Sequence, residues 1–163
     1  MIFDMTKRSG GGGETVYIAP KSGMLYVPNM VIPDTATAFQ NDYLDGAVEL
    51  VTLEAKALSN SNQFSRVLQN LTKLESVSWP NQTSYRGGNT STCSGCGALT
   101  QVQMGSIGHP VTYIDINMGG AIAGKTVTVY CTAISAITVL SYPWRAQDTV
   151  IYRDSTTGEV LTA

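Results

Sequence analysis

The sequence predicts an α+β protein: a β-rich N-terminal segment, a helical hairpin or bundle, and a C-terminal antiparallel β sandwich or barrel. Three observations carry this expectation. Apolar residues recur three or four positions apart through much of 34–79, as on one face of a helix. Alternating, β-branched runs lie before and after that stretch. Turn-forming clusters of Gly, Ser, Thr and Asn separate the later runs, the usual spacing of short strands in an all-β unit. In a chain of 163 residues this is one domain or one domain with an appendage.

Four zones follow in order. Residues 1–13 form a leader that ends in Ser9-Gly10-Gly11-Gly12-Gly13, a flexible tether by composition. Ile2, Phe3 and Met5 sit outboard of that tether and form a candidate anchor. Residues 14–33 hold two β-rich runs, Thr15–Ala19 and Met24–Val27, with hairpin chemistry between them at Pro20–Gly23. Asp34 after Pro33 is a helix N-cap candidate for the third zone, 34–79. One apolar stripe there runs Ala36, Phe39, Tyr43, Ala47, Leu50, Leu53 and Ala57; Val48–Leu53 also reads as a strand. A second stripe, Phe64, Val67, Leu68, Leu71 and Leu74, ends before Trp79-Pro80. Neither stripe keeps a strict heptad, so a hairpin or bundle is expected rather than a long coiled coil. The fourth zone, 80–163, opens with a loop at 81–98. It then offers strands at Val111–Ile116, Thr126–Thr132, Thr149–Arg153 and Val160–Thr162. No internal repeat stands out.

Composition narrows the function. Charged residues make up 13% of the chain and net charge is −2, so a nucleic-acid surface is not expected. The 19 Thr, 14 Ser, 8 Asn and 16 Gly supply polarity without charge, which suits surfaces covered by neighbouring subunits. No apolar run reaches the roughly 20 residues that cross a bilayer. The first residues do not read as a secretory signal, because the charges follow the apolar residues and glycines come next.

Several motifs carry chemistry. Gly119-Gly120-Ala121-Ile122-Ala123-Gly124-Lys125-Thr126 matches the phosphate-loop pattern by letter, yet β-branched residues follow where that motif needs a helix. It reads as a hairpin turn. Cys93-Ser94-Gly95-Cys96 is a paired-thiol turn. With His109 and Cys131 it offers the three-Cys, one-His donor set of a tetrahedral zinc site. A local disulfide, a redox pair and uncoordinated thiols are the alternatives. Tyr142-Pro143-Trp144 is either a sugar-stacking platform or an aromatic cap on the β unit. Asp115, Asp148, Asp154 and Glu159 are scattered, and no spacing marks a catalytic carboxylate pair.

The leader Met1-Ile2-Phe3-Asp4-Met5-Thr6-Lys7-Arg8, its glycine run and the low-charge Thr/Gly/Asn-rich body resemble small virion structural proteins of tailed bacteriophages. Head-fibre, decoration and tail-accessory proteins are the types in view. The resemblance covers the leader and overall composition and carries over no functional residue. It implies a non-enzymatic subunit, made in the host cytoplasm and located in the virion. The implied layout is an N-terminal anchor, a helical spacer and a β-rich outer head. Its partners would be further copies of itself and other virion proteins, with no nucleic acid and no membrane. The expected interface is Ile2, Phe3, Met5, Phe39, Tyr43, Leu50, Phe64, Leu68 and Leu71. The alternative is a small zinc-stabilised or carbohydrate-binding β module using Cys93, Cys96, His109 and Cys131, or Tyr142 and Trp144.

Overall fold

The computed structural model describes residues 7–9, 15–17, 28–32, 44, 47–55, 68–118, 120–121 and 123–162. Near the N-terminus, β1 (Lys7–Ser9) pairs antiparallel with β2 (Thr15–Tyr17) across the glycine run. Six further strands build one parallel sheet: β3 (Asn29–Ile32), β4 (Thr52–Ala55), β6 (Ser76–Trp79), β9 (Gln101–Met104), β12 (Thr126–Cys131) and β14 (Thr149–Asp154). They stack in chain order, with Asn29, Thr52, Ser76, Gln101, Thr126 and Thr149 in one register column. Successive members of that column are 23 to 25 residues apart, so the chain makes one full coil per strand.

Two smaller parallel sheets form the other sides of the coil. β7 (Ser84–Ser91), β10 (Tyr113–Asn117) and β13 (Thr138–Ser141) make the second. β5 (Leu68–Gln69), β8 (Cys93–Cys96) and β11 (Gly120–Ala121) make the third. This is a parallel β-solenoid. At about 4.8 Å per rung, six rungs advance it by roughly 24 Å.

The interior is a set of ladders. In the long sheet the inward positions are Met30, Leu53, Val77, Val102 and Val127, followed one pleat on by Ala55, Trp79, Met104 and Val129. A second ladder runs through the corner that precedes this sheet. Ala47, Leu50 and Leu53 point inward, as do Leu71, Leu74 and Val77, and Cys96, Leu99 and Val102. Each set steps by three residues, because the chain turns between its inward positions instead of running straight. The corners are tied coil to coil: Glu75 N donates to Val51 O (2.8 Å), Thr100 N to Glu75 O (2.9 Å), Thr126 N to Thr100 O (2.8 Å) and Thr149 N to Lys125 O (2.9 Å).

The helical expectation is therefore wrong. Among the described residues the only helical element is a three-residue 3-10 turn, Ile134–Ala136. Leu68, Leu71 and Leu74 belong to β5 and the corner after it, not to a helix face. Val48–Leu53, also readable as a strand, leads into β4. The antiparallel sandwich or barrel is corrected too. β10, β12 and β14 form where the sequence placed strands, but each pairs in parallel with a strand a coil away. β7 and β8 occupy the expected loop at 81–98, β9 and β13 fall outside the expected strand ranges, and Val160 makes only an isolated bridge to Arg153. The missing repeat is present after all, as a 23- to 25-residue coil. The phosphate-loop match leads into strand β12, as expected, but through a turn between coils rather than a hairpin. The Pro20–Gly23 hairpin, Phe39, Tyr43 and Phe64 lie outside the described residues.

One node fixes the corner after β6. The buried Tyr85 hydroxyl donates to Trp79 O (3.1 Å) and accepts from Gly105 N (2.9 Å), and its ring meets Trp79 edge-on at 5.9 Å. Burial, only partly offset by the Gly105 amide, pushes the Tyr85 phenol well above its ordinary pKa. Gly105 has φ +71°, and a Cβ there would meet His109 O at 2.6 Å, so no other residue fits without displacing backbone.

The ladder assignment is testable by truncation. Leu74→Ala and Leu99→Ala, both fully buried, should each lower the unfolding free energy by about 2–5 kcal/mol in urea titration. Leu140→Ala, at 65% exposure, should stay within about 0.5 kcal/mol. Equal effects at the three positions would contradict the ladder.

Candidate functional site

The sequence-predicted residues scatter through this architecture in an instructive way. Ile2, Phe3 and Met5 lie outside the described residues. Leu50, Leu68 and Leu71 are each 0% exposed and are spent on the solenoid interior, so they present nothing to a partner.

The four zinc candidates are not brought together. Cys93 and Cys96 point inward from the two ends of β8, because Gly95 at φ +72° bends the strand between them. Their side chains hydrogen-bond, and the Cys96 thiol also reaches Leu68 O at 2.9 Å. That mutual bond, reinforced by burial, pushes the Cys93 thiol far up in pKa; the same bond draws Cys96 down against the effect of burial. Cys131 is buried on β12 and its thiol is raised by desolvation. His109 is exposed on the loop after β9, with Nδ1 3.4 Å from Ser106 Oγ. Among the described residues no three His, Cys, Asp or Glu side chains gather as a metal site, and none of the three cysteines is in a disulfide.

Tyr142 and Trp144 do come together, and Tyr152 joins them. The rings meet edge to face, at 5.5 Å for Tyr142–Trp144 and 6.4 Å for Trp144–Tyr152. Trp144 and Tyr152 pack on the core beneath the last coil, with Ile137, Val139 and Val150. Tyr142 is 64% exposed, beside Leu140 at 65%. Herringbone rings of this kind cap a core well but offer no flat shared face to a sugar ring.

Lys125 was missed as a structural group, although the phosphate-loop match drew attention to it. It lies one register step from Asp148, and both side chains are fully buried and ion-paired. Asp148 also accepts from Gly124 N (2.8 Å), Lys125 N (3.2 Å) and Arg145 N (2.8 Å). Burial alone would raise this carboxyl, but the Lys125 ammonium and the surrounding amides outweigh it and hold it below the usual carboxylate range. Gly124 stands at the corner position that Leu50, Leu74 and Leu99 fill in earlier coils, and the Lys125 stem is buried beside it.

The outer face of the second sheet holds a further cluster that no sequence spacing announced. Arg86, Asp115 and Ser141 share one register row across β7, β10 and β13. Ser141 Oγ donates to Asp115 Oδ1 at 2.8 Å, and the Arg86 guanidinium lies over the Tyr113 ring at 4.1 Å.

These features define a parallel β-solenoid with a sealed interior and a chemically mixed outer sheet. No protein family matches this sequence, and no curated protein and no solved structure matches it either.

Two measurements probe the interior. Asp148→Asn leaves a buried ammonium without its counter-charge and should cost about 3–5 kcal/mol of stability. Because Asp148 is depressed in the folded state, its contribution is present above the unfolded carboxyl value near 3.8 and is lost as pH falls through the lower folded value. The acid limb of a Tm-against-pH curve should therefore flatten in the variant. Separately, the three thiols should resist an aromatic disulfide reagent in the native protein and all react once it is unfolded.

Proposed function

We propose that this chain is a non-enzymatic structural subunit of a phage particle, of head-fibre, decoration or tail-accessory type, and that it self-associates. The observation that carries this reading is the uninterrupted in-register stack of six parallel strands. Such a stack resists bending and extension through many parallel hydrogen bonds at once, which is the mechanical property a particle subunit needs. The low-charge, Thr/Asn/Gly-rich composition and the resemblance of the leader support the same reading.

The helical interface expected from sequence has no counterpart in this fold, so association is placed elsewhere. The last coil exposes Leu140 (65%), Tyr142 (64%) and Val160 (56%). The outer edge of β13 has no strand beside it among the described residues. An exposed edge next to apolar side chains favours pairing with another chain.

Light scattering of the purified protein should give a closed homo-oligomer at micromolar concentration. Leu140→Lys should weaken that oligomer about tenfold or more while leaving the circular dichroism spectrum unchanged. A monomer at all accessible concentrations would overturn self-association. Mass spectrometry of purified particles from the host that carries the gene tests the virion assignment directly, and absence of the chain from them would end it.

A further inference from the structure

The outer face of the second sheet carries a group of side chains that folding does not use up. The solenoid places Arg86 (β7), Asp115 (β10) and Ser141 (β13) side by side, one per rung, at strand spacings of about 4.8 Å. Ile114 and Ile116 face inward, so Tyr113, Asp115 and Asn117 face out. Arg86 is exposed, while Tyr113, Asp115 and Ser141 are half-buried.

The hydrogen bonding in this row is incomplete in a specific way. Asp115 Oδ1 accepts from Ser141, but Oδ2 accepts nothing from the described residues. Arg86 does not pair with Asp115, its register neighbour. Its guanidinium carbon instead lies over the Tyr113 ring, 4.1 Å from the centroid, and none of its N–H groups has a partner among the described residues. A guanidinium held over an aromatic face keeps its N–H donors available for a ligand and has already lost much of its rotational freedom. The sheet therefore presents a held donor fork and, one strand away, an oriented acceptor oxygen.

We propose that the Arg86–Tyr113–Asp115–Ser141 row is a binding site for an acidic sugar, a uronic or sialic acid residue of a polysaccharide. The guanidinium fork takes the sugar carboxylate through two parallel N–H···O bonds, which is the geometry that distinguishes Arg from Lys. Asp115 Oδ2 accepts from a neighbouring ring hydroxyl, and Ser141 holds the other carboxylate oxygen so that Oδ2 faces the ligand. An isolated anion such as phosphate would use Arg86 and be repelled by Asp115. A neutral sugar would use Asp115 and leave Arg86 unused. A ligand bearing both a carboxylate and hydroxyls satisfies both groups. The site is independent of the proposed particle role, because it needs only the folded solenoid.

The test is a titration of the full-length, isotope-labelled protein, followed by amide chemical shifts. The probes are galacturonate and N-acetylneuraminate, with galactose and inorganic phosphate as the comparison ligands. The acid sugars should shift β7, β10 and β13 resonances with a Kd on the order of 1 mM, a fair strength for one sugar residue. Galactose and phosphate should bind at least about tenfold more weakly. Arg86→Lys should lose most of the acid-sugar affinity, and Asp115→Asn should reduce it while improving phosphate binding. Both variants sit on the outer face, and an unchanged Tm confirms that they fold. Three results would overturn the proposal: no shift with either acid sugar at about 10 mM, equal binding of phosphate, or full affinity in Arg86→Lys.

Discussion

The inward three-residue stride at each corner is the constraint on which this structure depends. A parallel solenoid must turn without opening its interior, and straight β alternation alone would swing side chains outward at the bend. The Ala47–Leu50–Leu53, Leu71–Leu74–Val77 and Cys96–Leu99–Val102 sets solve this by keeping every third residue pointed in. Stacked one above another, they bury each coil against the next, and the corner amides bond from coil to coil beside them. The parallel sheets follow from that stack, since a strand that enters each coil at the same corner runs in the same direction every time.

The same stride explains what sequence could and could not disclose. Three-residue spacing is also the signature of a helix face, so Leu68, Leu71 and Leu74 read as helical when taken one coil at a time. Comparing coils separates the two readings: a helix face continues its stripe, whereas a corner repeats its short set every 23 to 25 residues. Only the apolar character at these positions recurs, with Ala, Leu and Cys in one column and Leu, Leu and Leu in the next. Letter-by-letter inspection therefore finds no repeat. The alternating runs at Tyr113–Asn117, Thr126–Cys131 and Thr149–Asp154 were legible, because their β-branched residues sit in true strands. Their parallel pairing was not, since alternation records burial and not the direction of the neighbour.

The sites divide along the same line. The Cys93-x-x-Cys96 spacing is visible as a motif, yet both thiols are corner and strand residues of the interior, so the spacing reports a bend rather than a ligand set. Tyr142 and Trp144 were legible as neighbours because a short turn joins them. The Arg86, Asp115 and Ser141 row was not, since its members come from three different coils and meet only through register. In a solenoid, side chains that act together are separated by one coil of sequence, and local motifs miss them.

The Lys125–Asp148 pair bears on how such a protein can change in length over evolution. Solenoids grow and shrink by duplicating or losing whole turns, since each turn offers the next an equivalent surface. A turn inserted between these two residues would part an ammonium from its paired carboxylate inside a dry stack, a defect that few aliphatic gains would offset. Duplication thus costs least among the leucine-cornered turns that precede Lys125 and most at this one seam. Length variation among descendants of this sequence should therefore accumulate on the amino-terminal side, with the final two turns inherited as a unit.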